Sequence, residues 1–268
     1  MGSNPSYTAL ELGHLLSTTR SKYLIIEESL LDKAVPALIH CKILASRVYI
    51  FPTGYTMNVC AGFKSWEVLL HYGEQDWIRF NNEKRAKSTT AALLSTSGTT
   101  GMPKAASLSH YAHVAAGISM KSITKKPYAI SRLISLPQFH AFAAPLAHIS
   151  PLKSGCTTYI MSRFELYKFT KYIHRYGITE TAVVPPMVAG FVKGGISPHL
   201  LESLRVLWCA GSPLSQALNE SMYELLHESA IVSQVWGMTE LGWVSTFQWP
   251  ERDMSGSVGR LLPNMEAR

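Results

Sequence analysis

A chain of 268 residues, 47% of them hydrophobic, has enough apolar material for a sizeable core in one large domain or two ordinary ones. Its formal charge of +7 is scattered, and the densest basic group, Lys121, Lys125 and Lys126, has no interleaved aromatics, which argues against nucleic acid and for anionic small molecules as partners. No apolar run approaches the roughly 20 residues that span a bilayer; the best, residues 181–192, is broken by Pro185 and Pro186.

In chain order, residues 7–16 carry Ala9, Leu10, Leu12, Leu15 and Leu16 at helical spacing, and 23–26 reads as a short buried strand. Residues 30–45 are helical in period, with Pro36 early, and 48–51 give a second strand. Residues 52–58 read as a turn, 63–72 as a helix, 79–87 as a charged loop and 91–94 as a strand. The run Ser95–Lys104 follows, and Ser109 is placed to cap a helix reaching about residue 120.

Strands are then expected at 133–136, 157–161, 181–184, 204–208 and 231–235, with helices at 142–151, 165–176 and 215–226. Alternation of this kind predicts an α/β fold of mainly parallel sheets flanked by helices. The Ser95–Lys104 run is then expected between a strand and a helix, at a strand's carboxyl end, where open α/β sheets bind ligands. There is no internal repeat, low-complexity tract or clear linker.

Cys41, Cys60, Cys156 and Cys209 contain no C-x-x-C pair, and the N-terminus has no basic stretch followed by an apolar one. Both features predict reduced, mostly buried thiols in an intracellular, cytoplasmic protein. His110 and His113 could share a helix face, but with no third ligand nearby they read as a solvated helix.

Ser95-Thr96-Ser97-Gly98-Thr99-Thr100-Gly101-Met102-Pro103-Lys104 concentrates hydroxyls and glycines, then ends on one lysine without any carboxylate. Glycine lets successive N–H groups turn toward one anion, hydroxyls add donors and lysine adds charge, which suits a polyphosphate. It is not a Walker A loop, because Gly98 and Gly101 are too close and Ala105 follows the lysine. An unliganded surface turn is the plain alternative.

Gln234-Val235-Trp236-Gly237-Met238-Thr239-Glu240 offers a flat ring for a base, a hydroxyl for phosphate and a carboxylate for Mg²⁺. His140, among Phe139, Ala141 and Phe142, reads either as a buried histidine satisfied by the backbone or as an active-site group. Gly211 and Ser212 either form a turn or let a planar ligand approach the backbone.

Thr96–Lys104, Leu136-Pro137-Gln138-Phe139-His140, Ala210-Gly211-Ser212-Pro213-Leu214, Gln234–Glu240 and Gly256-Ser257-Val258-Gly259 together resemble, in order and spacing, the motifs of adenylate-forming (AMP-binding) enzymes. The likeness is strongest to acyl-CoA synthetases of the 4-coumarate–CoA ligase type. It implies that a carboxylic acid attacks the α-phosphate of ATP, giving an acyl-adenylate and pyrophosphate, and that CoA then takes the acyl group, with specialised metabolism as the expected setting.

By matching, Thr96, Ser97, Gly98, Thr99, Thr100, Gly101 and Lys104 would contact the ATP phosphates. Trp236 would stack on adenine within the segment that includes Gly237 and Met238, Thr239 would reach the α-phosphate, and Glu240 would hold Mg²⁺. His140 and Phe142 would border the acyl pocket with Gly211, Ser212 and Gln234. The catalytic set is then His140, Thr239 and Glu240, and phosphoryl chemistry of this kind rests on charge neutralisation and in-line positioning.

The resemblance also implies that residues 1–268 form part of the large N-terminal adenylation domain, with the small C-terminal lid and its lysine lacking. Two rival readings follow: a non-catalytic remnant that binds nucleotide, acyl ligand or a partner protein, and an enzyme repurposed for ATP-independent chemistry in the acyl pocket. A partner chain or self-association is expected to cover sheet edges left open.

Overall fold

The computed structural model describes residues 1–51, 62–96, 102–120 and 125–268. The chain divides into two compact units, Met1–Ser109 and His110–Arg268, each taken by itself.

In the first unit, helix α1 (Ala9–Thr18) opens on a capping box in which the Thr8 hydroxyl accepts the Glu11 N–H and the Glu11 carboxylate accepts the Thr8 N–H. β1 (Leu24–Glu27), α2 (Leu31–His40), β2 (Val48–Phe51) and β3 (Lys64–Ser65) follow, and the strands form a parallel sheet in the order β1-β2-β3. Leu12, Leu16, Ala34, Leu38, Val48 and Ile50 make its core. Strand β1 is not buried on both sides as expected: it lies at the sheet edge, Leu24 and Ile26 face the core and Ile25 is exposed.

Residues 63–72, expected as a helix, contain β3 and then a 3₁₀ turn over Trp66–Tyr72. Residues 79–87, expected as a loop, run into α3 (Glu83–Ser88), which Asn82 caps by accepting the Arg85 N–H at 3.0 Å. The charged surface of this short helix hides its period, whereas the asparagine cap was the readable signal.

β4 (Thr90–Thr96) and β5 (Lys104–Ser109) pair antiparallel, with Thr96 opposite Lys104. The two ends of the Ser95–Lys104 run therefore lie on paired antiparallel strands, and its expected place between a strand and a helix is corrected. The small residues Ala105, Ala106 and Ser107 give β5 too little apolar contrast to show a two-residue period.

The second unit opens with α4 (His110–Ser119), followed by β6 (Ser131–Ile134), a π-helical turn at Pro145–Ile149, α5 (Ser150–Ser154) and β7 (Thr157–Ile160). Then come α6 (Leu166–Arg175), β8 (Glu180–Val183), α7 (Pro185–Lys193), β9 (Val206–Cys209), α8 (Gln216–Leu225), β10 (Ile231–Met238), β11 (Gly242–Thr246) and β12 (Arg260–Leu261). One seven-stranded sheet runs β12-β11-β10-β9-β8-β6-β7, parallel from β10 to β7 and antiparallel at β11 and β12.

The two-residue period of the central strands divides the core. Thr181 and Val183 of β8, with Leu207 and Cys209 of β9, point to the face covered by α6, α7 and α8, where Phe169, Phe191 and Met222 are sealed from solvent. Ala182, Val206 and Trp208 point to the other face and meet Phe142, Leu146 and Trp243.

Helix α7 went unread because Pro185 and Pro186 looked like a strand terminator. They occupy the first helical positions, where a missing N–H costs nothing. Of the cysteines described, Cys209 is buried and its thiol is pushed up to about 12 by burial, while Cys41 and Cys156 are half-buried and all three are unbridged. That corrects the expectation of mostly buried thiols; Cys60 lies outside the described residues. Among the described residues, no helix is long and apolar enough to cross a membrane.

Candidate functional site

In the first unit the hairpin supplies two expected ligands. The Thr96 hydroxyl reaches the Lys104 carbonyl at 3.4 Å, which ties the base of the turn, and the Lys104 side chain is exposed with no ion pair among the described residues. His14 adds a contact to the Pro103 carbonyl at 3.1 Å, and the Tyr7 hydroxyl donates to Ser95 Oγ at 3.2 Å, so α1 and its N-terminal approach brace both arms. Ser97, Gly98, Thr99, Thr100 and Gly101 lie outside the described residues.

In the second unit the other candidates gather at the carboxyl ends of the parallel strands. His140 follows β6, Gly211 and Ser212 follow β9, and Gln234 lies on β10 in register with Cys209. His140 reaches solvent and is not the buried residue of the plain reading, although it is satisfied by backbone. Its Nδ1 accepts the Phe142 N–H at 3.2 Å, which leaves the ring proton of the neutral form to Nε2, and the protein packed around it holds its pKa below the usual value.

Gly211 has φ +95°, a conformation that suits glycine, and Ser212 beside it is exposed. Gln234 uses both ends of its amide within the protein: Oε1 accepts the Leu214 N–H at 2.8 Å and Nε2 donates to the Gly256 carbonyl at 3.1 Å. It therefore clamps the turn after β9 to the Gly256–Gly259 segment. Ser245 Oγ fixes the same segment by donating to the Val258 carbonyl at 2.9 Å.

Strand β10 runs on through Trp236 and Gly237 and turns back as a hairpin into β11, with Met238 paired to Gly242. Thr239 and Glu240 are therefore on a hairpin tip, where Leu241 N–H donates to the Met238 carbonyl at 3.2 Å. A β-carbon on Gly237 would collide with the Gly242 carbonyl, which explains the glycine between Trp236 and the tip. Trp236 is 43% exposed and Glu240 is exposed with no ion pair among the described residues.

Taken unit by unit, the described donors fit the groups that the motifs imply: in the first, the Thr96 hydroxyl and the exposed Lys104 ammonium for phosphates; in the second, an exposed indole for a purine and an exposed carboxylate for a hard cation. Sequence reasoning missed Trp243. Its Nε1–H donates to the Phe142 carbonyl at 3.0 Å and its ring lies 5.4 Å from that of Phe142, so it fixes the residue expected to border the acid. The only signal was an aromatic two residues beyond Leu241, too common to single out.

A mainly parallel sheet flanked by helices, with polar loops at the carboxyl ends of its strands, defines an α/β protein of the open-sheet class, in which ligands bind at that edge. The chain belongs to the AMP-binding enzyme family, whose sequence profile matches residues 1–268. It is 38% identical over 273 residues to an acyl-CoA ligase, azaF, of Aspergillus niger, an alignment that takes in 100% of this chain and 51% of that protein. A phenylacetyl-CoA ligase, epaB, of the same species is also 38% identical, with the same coverage. The chain thus spans about half the length of the curated relatives it matches.

Among solved structures, a long-chain-fatty-acid-CoA ligase of Archaeoglobus fulgidus superposes with a TM-score of 0.80 at 22% identity, covering 97% of this chain and 51% of that one. An O-succinylbenzoate coenzyme A synthetase of Bacillus subtilis, solved with ATP and magnesium ion, gives 0.70 at 23% identity, covering 96% of this chain and 48% of that one. Both support the α/β fold of mainly parallel sheets.

Proposed function

We propose that this chain takes part in ATP-dependent activation of a carboxylic acid, with CoA as the acceptor of the acyl group and Mg²⁺ as the counterion of the phosphates. The observation that carries the reading is the β10–β11 hairpin, which presents an exposed Trp236 and then Thr239 and an exposed Glu240 within five residues. In an acid activator these are the base platform, the α-phosphate donor and the Mg²⁺ ligand. Lys104 and the residues from Thr96 to Gly101 supply phosphate contacts, assigned through the family motif.

Bound Mg²⁺ supplies charge neutralisation on the phosphates; the remaining work falls to side chains. His140, neutral near pH 7, borders the acid with Phe142, Gly211 and Ser212 and offers an Nε2–H to a carboxylate oxygen. Gln234 acts by holding the loops on either side of it. Residues 1–268 form part of the large adenylation domain, and the half-length match makes full ligase turnover by this chain a matter for assay.

The test is pyrophosphate release from ATP and Mg²⁺ across a panel of aromatic and fatty acids. Acid-dependent release supports the proposal. Measurable ATP binding without acid-dependent release over the whole panel overturns it and favours a chain that binds nucleotide without activating an acid.

A further inference from the structure

The second unit contains a cavity of about 450 Å³, within the size range of small-molecule pockets, and none of the expected site residues among those described lines it. It lies on the sheet face that carries Phe142, beside the beginnings of β6 and β9, where Arg132 and Val206 reach it. Trp208 and Trp243 form one wall, with rings 5.6 Å apart and inclined at 72°. Tyr128 and Trp249 form another, 5.8 Å apart and edge-on at 88°. Such walls accept a flat ring.

The polar lining is strongly one-signed. Lys125, Lys126, Arg132 and Lys153 all border the cavity, and among the described residues no carboxylate residue does. Glu180 stands behind this wall and serves two of the four: it binds Lys126 and lies 2.9 Å from Arg132 Nη2. Lys153 donates only to the Gly117 carbonyl, at 3.2 Å, and neither it nor Lys125 has an ion pair among the described residues. Glu251, close to Trp249 in sequence, is taken by Arg260. A ligand anion therefore enters a wall with cationic excess and no competing carboxylate.

The cavity neighbours Phe142, one of the residues expected to border the acid. Trp243 lines it and holds Phe142, while Pro145 and Leu146 of the π-helical turn after Phe142 line it as well. We propose that the cavity receives the distal part of a rigid aromatic acid carrying a second anionic group, with Trp208 and Trp243 against the ring and Lys125 and Lys153 reading the second anion. The inference rests on the acid-activating reading, because it names the class of acid.

The experiment is calorimetric titration of the chain, without ATP, with benzene-1,4-dicarboxylate and with 4-methylbenzoate, which replaces the second anion by a methyl group. The dicarboxylate is expected to bind at least tenfold more tightly, about 1.4 kcal/mol. In the double variant Lys125→Met, Lys153→Met, whose side chains are exposed so that the melting temperature should hold, the two ligands become equivalent. Equal or tighter binding of 4-methylbenzoate, no dicarboxylate binding at millimolar concentration, or a preference that survives the double variant overturns the proposal. Because ATP is absent, the titration is read separately from pyrophosphate release, so a failure of this proposal is distinguishable from a failure of the acid-activating reading.

Discussion

Arg132 and Glu180 stand opposite each other on the adjacent parallel strands β6 and β8, and Nη2 of the arginine lies 2.9 Å from Oε2 of the glutamate with 6% and 0% of the side chains exposed. Glu180 also receives Lys126 and the Tyr128 hydroxyl, and Arg132 Nη1 donates to Ser150 Oγ at 2.7 Å. Two cations therefore share one buried carboxylate, and removing that carboxylate strands both. Glu180→Gln is expected to cost about 3–5 kcal/mol of unfolding free energy, the range for breaking a buried pair from one side. Urea unfolding of the two proteins measures it; a loss under about 1 kcal/mol would show that water reaches this cluster.

The sequence already displayed much of this architecture and little of that cluster. Alternating apolar runs located β6 to β10 to within a few residues, because buried strands and the amphipathic α6 and α8 leave strong periods in the chain. Arg132 and Glu180 fall one residue outside the strands expected at 133–136 and 181–184, and nothing local announces that two charges far apart in sequence will be in register. Lys104 and Glu240 were legible as motif residues, whereas the hairpins that bear them were not: β5 is too small-sided, and β10 continues to Met238, past residue 235 where the strand was expected to stop. Trp208 and Trp243 acquire meaning only when β9 and β11 are placed in one sheet.

Gly237 tests the hairpin that carries Trp236. A methyl group added there runs into the backbone of Gly242, which has no side-chain freedom to yield and itself sits at φ +75°. Gly237→Ala is expected to destabilise by about 1–3 kcal/mol, the usual cost of overpacking, and to weaken ATP binding through displacement of Trp236. Thermal unfolding and ATP titration in parallel check both effects; wild-type values in the two assays would mean that the β10–β11 turn tolerates a different register.

Acid should weaken the fold through histidines held neutral. Burial lowers the pKa of His113, helped by the charge of His110, and the surrounding protein lowers that of His140. Between the depressed folded values and the ordinary value of about 6.5, the unfolded chain binds more protons than the folded one, so stability rises with pH through that window and levels off above it. The contribution is present above about pH 6.5 and is lost as pH falls through the folded values. Melting temperatures from pH 5 to 8 should show this rise, and His113→Gln should make it shallower; an unchanged profile in the variant would remove His113 as a contributor.

Lys104 and Glu240 are expected to fail in different ways, which separates a phosphate contact from a metal ligand. A ligand that binds only the folded state stabilises it by RT ln(1 + [L]/Kd), about 2.7 kcal/mol at a hundredfold excess over Kd, so ATP should raise the melting temperature of the wild-type chain. Lys104→Met removes a charge-assisted contact of about 1.5–3 kcal/mol and should reduce the ATP shift both with Mg²⁺ and in a chelator, because an ammonium acts on phosphate directly. Glu240→Gln should reduce the shift only when Mg²⁺ is present, and in the chelator it should match the wild type. The exposure of both side chains makes general unfolding a poor explanation for either loss. Wild-type ATP shifts in both variants would remove these residues from the nucleotide site, and a Glu240→Gln deficit that persists in the chelator would assign the carboxylate to the nucleotide itself or to the hairpin rather than to the metal.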